Sequence, residues 1–301
     1  MSYPASVGVA REGDVATEGL GWTLRRGATV LPNSVTFSVW APNATSVSAH
    51  VATGDAAGDH PLLPSKTERG VWETSVAKVR AGDRYGYRLD SVEPLPDPVS
   101  RSQPDGVHAL SEVVDPGAIV WTDDAWRGVA LADFVIYEIH VGAFTAEGTF
   151  EAAAARLNEL VALGITAIEL MPVASFPGRR NWGYDGVHLY APQLSYGGVE
   201  GLQRFVNAAH AHGIGVVLDV VYNFGSLSFL EELSDEVHAL GRQLGRKVQL
   251  MAESDLNDPR PVRARAGLAW MRHGRTMCTT PSTLRSRASG TGTTKISVVW
   301  R

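Results

Sequence analysis

The chain has 301 residues, 44% of them hydrophobic, with 27 Lys and Arg against 32 Asp and Glu for a net charge of −5. That size admits two ordinary domains, and the composition is that of a chain with a core rather than a disordered one. The sequence has no apolar run long enough to span a bilayer, its first fourteen residues lack a basic-then-apolar leader, and one cysteine, Cys278, rules out an internal disulfide framework.

These features together point to a cytoplasmic protein. Residues 1–30 read as an N-terminal extension. From 31 to 125 the chain alternates in the strand period: Val35, Phe37 and Val39 face one way, and Trp72, Thr74 and Val76 repeat the pattern. Turn signals at Ala41-Pro-Asn43, Thr53-Gly-Asp55, Ala81-Gly-Asp83 and Pro94–Pro98 separate short strands. The expectation is an immunoglobulin-like β-sandwich of the early-set kind. Trp40 and Trp72 read as core residues of half-buried strands; the alternative is that they hold an α-glucan.

From Asp133 the grammar becomes strand, helix, strand. Phe134–Val141 is a continuous apolar run of the kind buried on both faces of a parallel sheet. Thr149–Leu163 has helical spacing, with Thr149 as N-cap and Gly164 at the C-terminal end. A strand at 165–173, a helix at 200–212 and a strand over Gly215–Tyr222 follow. A helix over 229–244 and a strand over 247–253 come next. This alternation predicts a βα barrel or doubly wound sheet over 126–268.

Beyond Asp258 the period fades, and 269–301 reads as an irregular basic tail. From Pro261 to Arg301 there are eight Lys or Arg and no acid. Back-translated with G/C-ending codons and CAT for His273, residues 270–284 read in a shifted frame give Asp-Ala-Pro-Trp-Ala-Asp-Asp-Val-His-His-Ala-Leu-His. On that reading the tail is out-of-frame translation, and its charge is not a nucleic-acid site.

Asp185, Asp219 and Glu253 fall at or just beyond the C-terminal ends of predicted strands, where a βα barrel binds substrate. Trp182 and Tyr184 are flat aromatics apt for stacking on a sugar, or for packing their own loop. His108, His140, His188, His210 and His212 are scattered without ligand spacing, so no metal site is expected. His210 and His212 lie near a helix end, where surface roles are common. No phosphate loop or dinucleotide fingerprint occurs, and no cofactor is expected.

The segments Leu95–His108, Tyr137–Gly142, Phe144–Phe150, Glu169–Gly186 and Ala252–Arg260, in that order, resemble the malto-oligosyltrehalose trehalohydrolases of the α-amylase superfamily. The resemblance implies a β-sandwich followed by a (β/α)8 TIM barrel. It also implies hydrolysis of the α-1,4 bond next to the terminal trehalose of maltooligosyl trehalose. It makes Glu253 the general acid/base and assigns Trp182, Tyr184, Asp185, Asp219 and Asn223 to substrate. The substrate is an α-glucan, with no nucleic-acid or membrane partner; protein partners are left open.

Three departures accompany the resemblance. Phe224 stands where the family pattern has His. The fourth barrel strand, with an Arg-x-Asp pattern carrying the nucleophile, is missing between Asn223 and Glu253. The third family carboxylate is missing too. Asp235 reads as a surface charge on a helix and not as a replacement. The expectation is therefore an incomplete barrel whose hydrolysis is impaired. The alternatives are a glucan branching enzyme or a non-catalytic glucan-binding remnant.

Overall fold

The computed structural model describes residues 26–90 and 92–222. Beyond them it describes 237, 239–243, 245–246, 248–254, 268–272, 275–277 and 294–300. The first eight strands are β1 (Gly27–Leu31), β2 (Ser34–Trp40), β3 (Val47–Val51), β4 (Gly58–Pro61), β5 (Leu63–Pro64), β6 (Val71–Ala77), β7 (Arg84–Leu89) and β8 (Ser111–Glu112). They form two four-stranded antiparallel sheets in the orders β1-β2-β6-β5 and β4-β3-β7-β8. Period-two alternation sends Val35, Phe37 and Val39 inward, where they meet Val47, Ala49, Val51, Tyr85 and Tyr87 from the facing sheet. Phe37 and Tyr85 touch with ring centroids 5.1 Å apart.

Two sequence expectations change here. The first strand starts at Gly27, inside the segment read as an extension. Trp40 is not core: it ends β2 facing outward and is 63% exposed. Trp72 is half-buried against the core, and its Nε1 donates to the Ala41 carbonyl at 3.1 Å.

The connection out of the sandwich is pinned by buried polar groups. Asp97 is fully buried and accepts from Tyr85 Oη at 2.6 Å and from the Val99 amide at 2.9 Å. Arg101 donates to the carbonyls of Ala28 and Arg26. His188, in the second unit, donates from Nε2 to the Val107 carbonyl at 2.8 Å and so ties the connection to that unit. Such groups are retained inside a protein because each finds a partner.

The second unit begins with β9 (Ile136–Ile139). Then come α1 (Val141–Phe144), α2 (Phe150–Ala154), α3 (Leu157–Ala162), β10 (Ala167–Leu170), β11 (Ala174–Ser175) and β12 (His188–Pro192). Last are α4 (Gly198–Ala211), β13 (Gly215–Tyr222), β14 (Gln249–Ser254), β15 (Leu268–Arg272), β16 (Arg275–Met277) and β17 (Thr294–Trp300). The helix expected over 149–163 is two short ones. Thr149 caps the first through Oγ1, which accepts from the Ala152 amide. Arg156, at φ −95° and ψ 0°, turns the chain between them. Phe150, Ala153, Leu157 and Leu160 all still reach the core. At the far end Gly164, at φ +81°, lets its amide bond Val161 while Ile165 bonds Leu160, a Schellman termination that only glycine accommodates freely.

The large sheet runs β16-β15-β14-β17-β13-β10-β9. Strands β9, β10 and β13 are parallel neighbours, as a βα unit requires. Three expectations are corrected. Strand β9 is not buried on both faces; it is the sheet's last strand among the described residues, with Val135 50% and Tyr137 40% exposed. The tail read as irregular carries β15, β16 and β17. Most notably, β17 lies antiparallel between β13 and β14, from Val216 opposite Trp300 to Tyr222 opposite Thr294. The place between β13 and β14 is thus taken by a strand from residues 294–300. Of the helix expected over 229–244, only Val237 and 239–243 are described and helical; Asp235 lies outside the described residues.

His210 also departs from expectation. Unlike the exposed His212, it is buried, and its Nδ1 donates to Asp123 Oδ2 at 2.7 Å. Trp126 stacks on its ring at 4.8 Å, and Arg246 bonds the same Asp123 oxygen at 3.1 Å. Asn207 bonds Thr122 one turn away, so the linker is clamped to α4. Burial raises the Asp123 carboxyl, but the bonds from His210 and Arg246 outweigh it and hold its pKa below the ordinary value. Burial pushes the His210 imidazole below 6.5 against the pull of Asp123. A group whose folded pKa is depressed lends stability above its unfolded pKa and withdraws it on acidification. For His210 that loss starts as pH falls below 6.5; for Asp123 it starts below 3.8. The thermal midpoint is expected to drop as the pH falls below 6.5. His210→Asn, which keeps a donor toward Asp123 and does not titrate, should flatten that slope. Circular dichroism melts across this range decide it; an unchanged slope removes His210 from the account.

Candidate active site

The C-terminal ends of β9, β10 and β13 meet the loop of residues 171–187. Its shape is set by one buried side chain. Asn181 Oδ1 accepts from the amides of Gly183 at 3.0 Å and Asp185 at 3.3 Å, closing an Asx turn. Gly183 is in the left-handed region at φ +94°, and a Cβ there would stand 2.7 Å from Pro172 Cδ, so no larger residue fits without moving the loop. The turn thrusts Trp182 and Tyr184 outward, 69% and 61% exposed. Asp185 is exposed beside them.

The loop is bolted to the strand ends by His140. This residue follows β9 and donates from Nε2 to the Asn181 carbonyl. Its ring lies 5.1 Å from Trp182 and 6.0 Å from Tyr196. Tyr196 is itself buried against Phe150 and Phe176, and burial raises its phenol pKa. His140, Asn181 and Tyr196 are positioning residues that the sequence pattern did not single out. Asn181, two residues before a glycine at a turn, was the available signal.

Losing the Asn181 side chain leaves two loop amides without their acceptor and costs about 1–3 kcal/mol locally. Asn181→Ala is expected to raise proteolytic nicking at 179–187 while the sandwich stays intact. Mass spectrometry of the fragments checks it, and a nicking rate equal to wild type would mean that the turn holds without Asn181.

Asp219 is on β13 and 3% exposed. Glu253 is on β14, with β17 between the two. The register puts Asp219 level with Ser297 and Met251, and Glu253 level with Lys295 and Val221. At about 4.8 Å per strand step, the backbones carrying Asp219 and Glu253 are roughly 10 Å apart across the sheet. One strand from Glu253 stand Lys295 on β17 and Met271 on β15, and neither strand contains Asp or Glu. Asn223 and Phe224 lie outside the described residues. No group of three or more metal-ligating side chains occurs among the described residues.

Parallel βα strands β9, β10 and β13 with aromatics and carboxylates toward their C-terminal rim, preceded by a β-sandwich, form a layout that suits a glycosidase. The family model of the alpha amylase catalytic domain matches residues 85–239, and that of carbohydrate-binding module 48, the isoamylase N-terminal domain, matches 25–104. The chain belongs to the alpha-amylase family.

Within that family it is similar to malto-oligosyltrehalose trehalohydrolases. It is 47% identical to the one from Saccharolobus solfataricus over 191 residues, covering 64% of this chain and 33% of that protein. It is 49% identical to the one from Rhizobium sp. over 193 residues, 62% of this chain and 32% of that protein. A branching enzyme from Xanthomonas axonopodis is 37% identical over 205 residues, 62% of this chain and 28% of that protein. Among solved structures, the GBS pullulanase SAP in complex with maltotetraose superposes at TM-score 0.57, with 26% identity, over 68% of this chain and 34% of that one.

The chain therefore spans about a third of the length of these relatives. The match to the Arthrobacter ramosus trehalohydrolase, at 39% identity, runs over 300 residues, 52% of that protein, yet takes in 76% of this 301-residue chain. That relative thus carries several tens of residues inside the match that this chain does not.

Proposed function

We propose that this chain is a trehalohydrolase-type α-glucan protein that keeps the sugar-holding rim of the active site and has lost hydrolysis. In this reading Trp182 and Tyr184 stack on a glucose unit, and Asp185 and Asp219, with Asn223, hold its hydroxyls. Glu253 is the general acid/base inherited without its partner. A retaining glycosidase needs two carboxyl groups about 5–5.5 Å apart, one to protonate the leaving oxygen and one to attack the anomeric carbon. The observation that carries the proposal is β17: the strand beside Glu253 offers a lysine and no carboxylate. The sugar is a maltooligosyl trehalose by likeness to the trehalohydrolases, and a branching substrate is the second choice because the likeness to the branching enzyme is weaker. The out-of-frame origin of the tail stands as part of this proposal, and sequencing the gene through codons 260–301 tests it.

The test of function is trehalose release from maltooligosyl trehalose by the folded chain, measured beside Glu253→Gln. Release that the substitution abolishes would show that another carboxylate serves as nucleophile.

A further inference from the structure

The loop that presents Trp182 carries a second chemistry on its approach. Pro177, Gly178, Arg179 and Arg180 are exposed, between the buried Phe176 and the buried Asn181. Both ends of this short projection are held by buried amide side chains. Gln193, 5% exposed, accepts from the Phe176 amide at 3.1 Å and donates from Nε2 to the Gly178 carbonyl at 3.0 Å. Gly178 turns the chain at φ +82°. At the other end Asn181 closes its Asx turn and takes the His140 bond on its carbonyl.

The backbone under the two arginines is therefore fixed, while their guanidiniums are not spent on the fold. Arg84, Arg156 and Arg204 each pair with a carboxylate. Among the described residues, Arg179 and Arg180 pair with none. The acid nearest to them in sequence, Asp185, comes after the turn and beyond Tyr184. Two like charges on adjacent residues repel, and an anion shared between them relieves the repulsion. A loop anchored in this way has little freedom left to lose when it meets a ligand.

The chemistry selects the ligand. A guanidinium fork matches phosphate oxygens in bidentate fashion, and a phosphate monoester is mostly a dianion at neutral pH. Two arginines thus suit one such group better than a single carboxylate. Trp182 is two residues past Arg180, which puts their Cα atoms within about 7 Å. A phosphate on the sugar stacked at Trp182, or on the next sugar along, is within an arginine's reach. A bare inorganic anion would make no use of the indole, 69% exposed beside the pair.

We propose that Arg179 and Arg180 form a phosphate-binding edge to the Trp182–Tyr184 sugar site, which selects an α-glucan bearing a phosphate monoester. The glucan rests on the functional reading above; the phosphate rests on the loop and its two unpaired cations.

The experiment is affinity electrophoresis of the 301-residue chain through gels containing phosphate-bearing amylopectin, beside the same polymer stripped by a phosphatase. Dextran phosphorylated to the same degree is the control. Wild type is expected to bind the phosphorylated amylopectin about tenfold more tightly than the stripped one, a preference that fades at high salt. Arg179→Gln combined with Arg180→Gln should bring the two affinities together. Arg179→Lys combined with Arg180→Lys should restore part of the difference, since lysine keeps the charge and loses the fork. Glucose 6-phosphate should compete at lower concentration than inorganic phosphate. Equal affinity of wild type for the two amylopectins overturns the proposal and leaves the functional reading standing; binding to neither overturns both. A preference that survives in the double glutamine variant would assign it to the basic residues of 261–301. Equal retardation by phosphorylated dextran, or equal competition by inorganic phosphate, would reduce it to attraction between bulk charges. Each of these results overturns the proposal.

Discussion

Purified and folded, the chain is expected to release trehalose from maltooligosyl trehalose at a rate about four to six orders of magnitude below that of a complete relative, since removing a nucleophile from a catalytic set costs on that order. The reason lies in the strands beside Glu253. Protonating the glycosidic oxygen alone leaves a sugar cation with no carboxylate to capture or stabilise it, and in this sheet the register neighbours of Glu253 are Lys295 and Met271. Glu253→Gln should therefore lower nothing further. This insensitivity distinguishes a chain without a nucleophile from a slow but intact enzyme. In the latter, loss of the acid would add a further drop of about 10²–10⁴. Single-turnover assays at high protein concentration, with product detected by mass, resolve the two. A measurable rate that the substitution removes would mean that Asp219 or Asp185 reaches the anomeric carbon.

What could be read from the sequence was what depends on neighbours along the chain. Strand β13 falls where its apolar run from Gly215 to Tyr222 puts it. Thr149 caps α2 as its residue type predicts, and Gly164 takes the left-handed conformation that ends α3. The aromatic loop was legible because Trp182 and Tyr184 flank a glycine in a turn. What escaped depends on partners far away in sequence. The exposure of β9 follows from which strand stands beside it, and nothing within Ile136–Ile139 reports that. His210 looked like a surface histidine because its partner, Asp123, is 87 residues earlier in the linker. Trp40, one residue past Val39, is out of phase with the core-facing Val35, Phe37 and Val39, so the strand period puts it on the outer face; its reading as core rests on residue type alone. The segment Thr294–Trp300 has strand-forming residues, but its surroundings of Ser, Thr, Gly and Arg hid it.

Ending the chain at residue 293 is expected to collapse the second unit and spare the first. Strand β17 makes seven register pairs with β13 and six with β14, and holds the two together where no parallel strand stands between them. Without it, β13 and β14 become open edges, which recruit strands from other molecules and drive aggregation. The sandwich does not share this dependence. Its core of Val35, Phe37, Val51 and Tyr85 is separate from the cluster around Phe150, Leu157, Ile168 and Phe205. Limited proteolysis of wild type and the truncated chain, with fragments identified by mass, separates the outcomes. The expected pattern is a surviving fragment that ends near residue 125 in the truncated chain and rapid loss of everything after it. Equal resistance of residues 134–222 in both chains would mean that the cluster under α4 holds the sheet by itself. Strand β17 would then be a passenger; if the sheet fails without it, these seven residues are part of what holds the fold together.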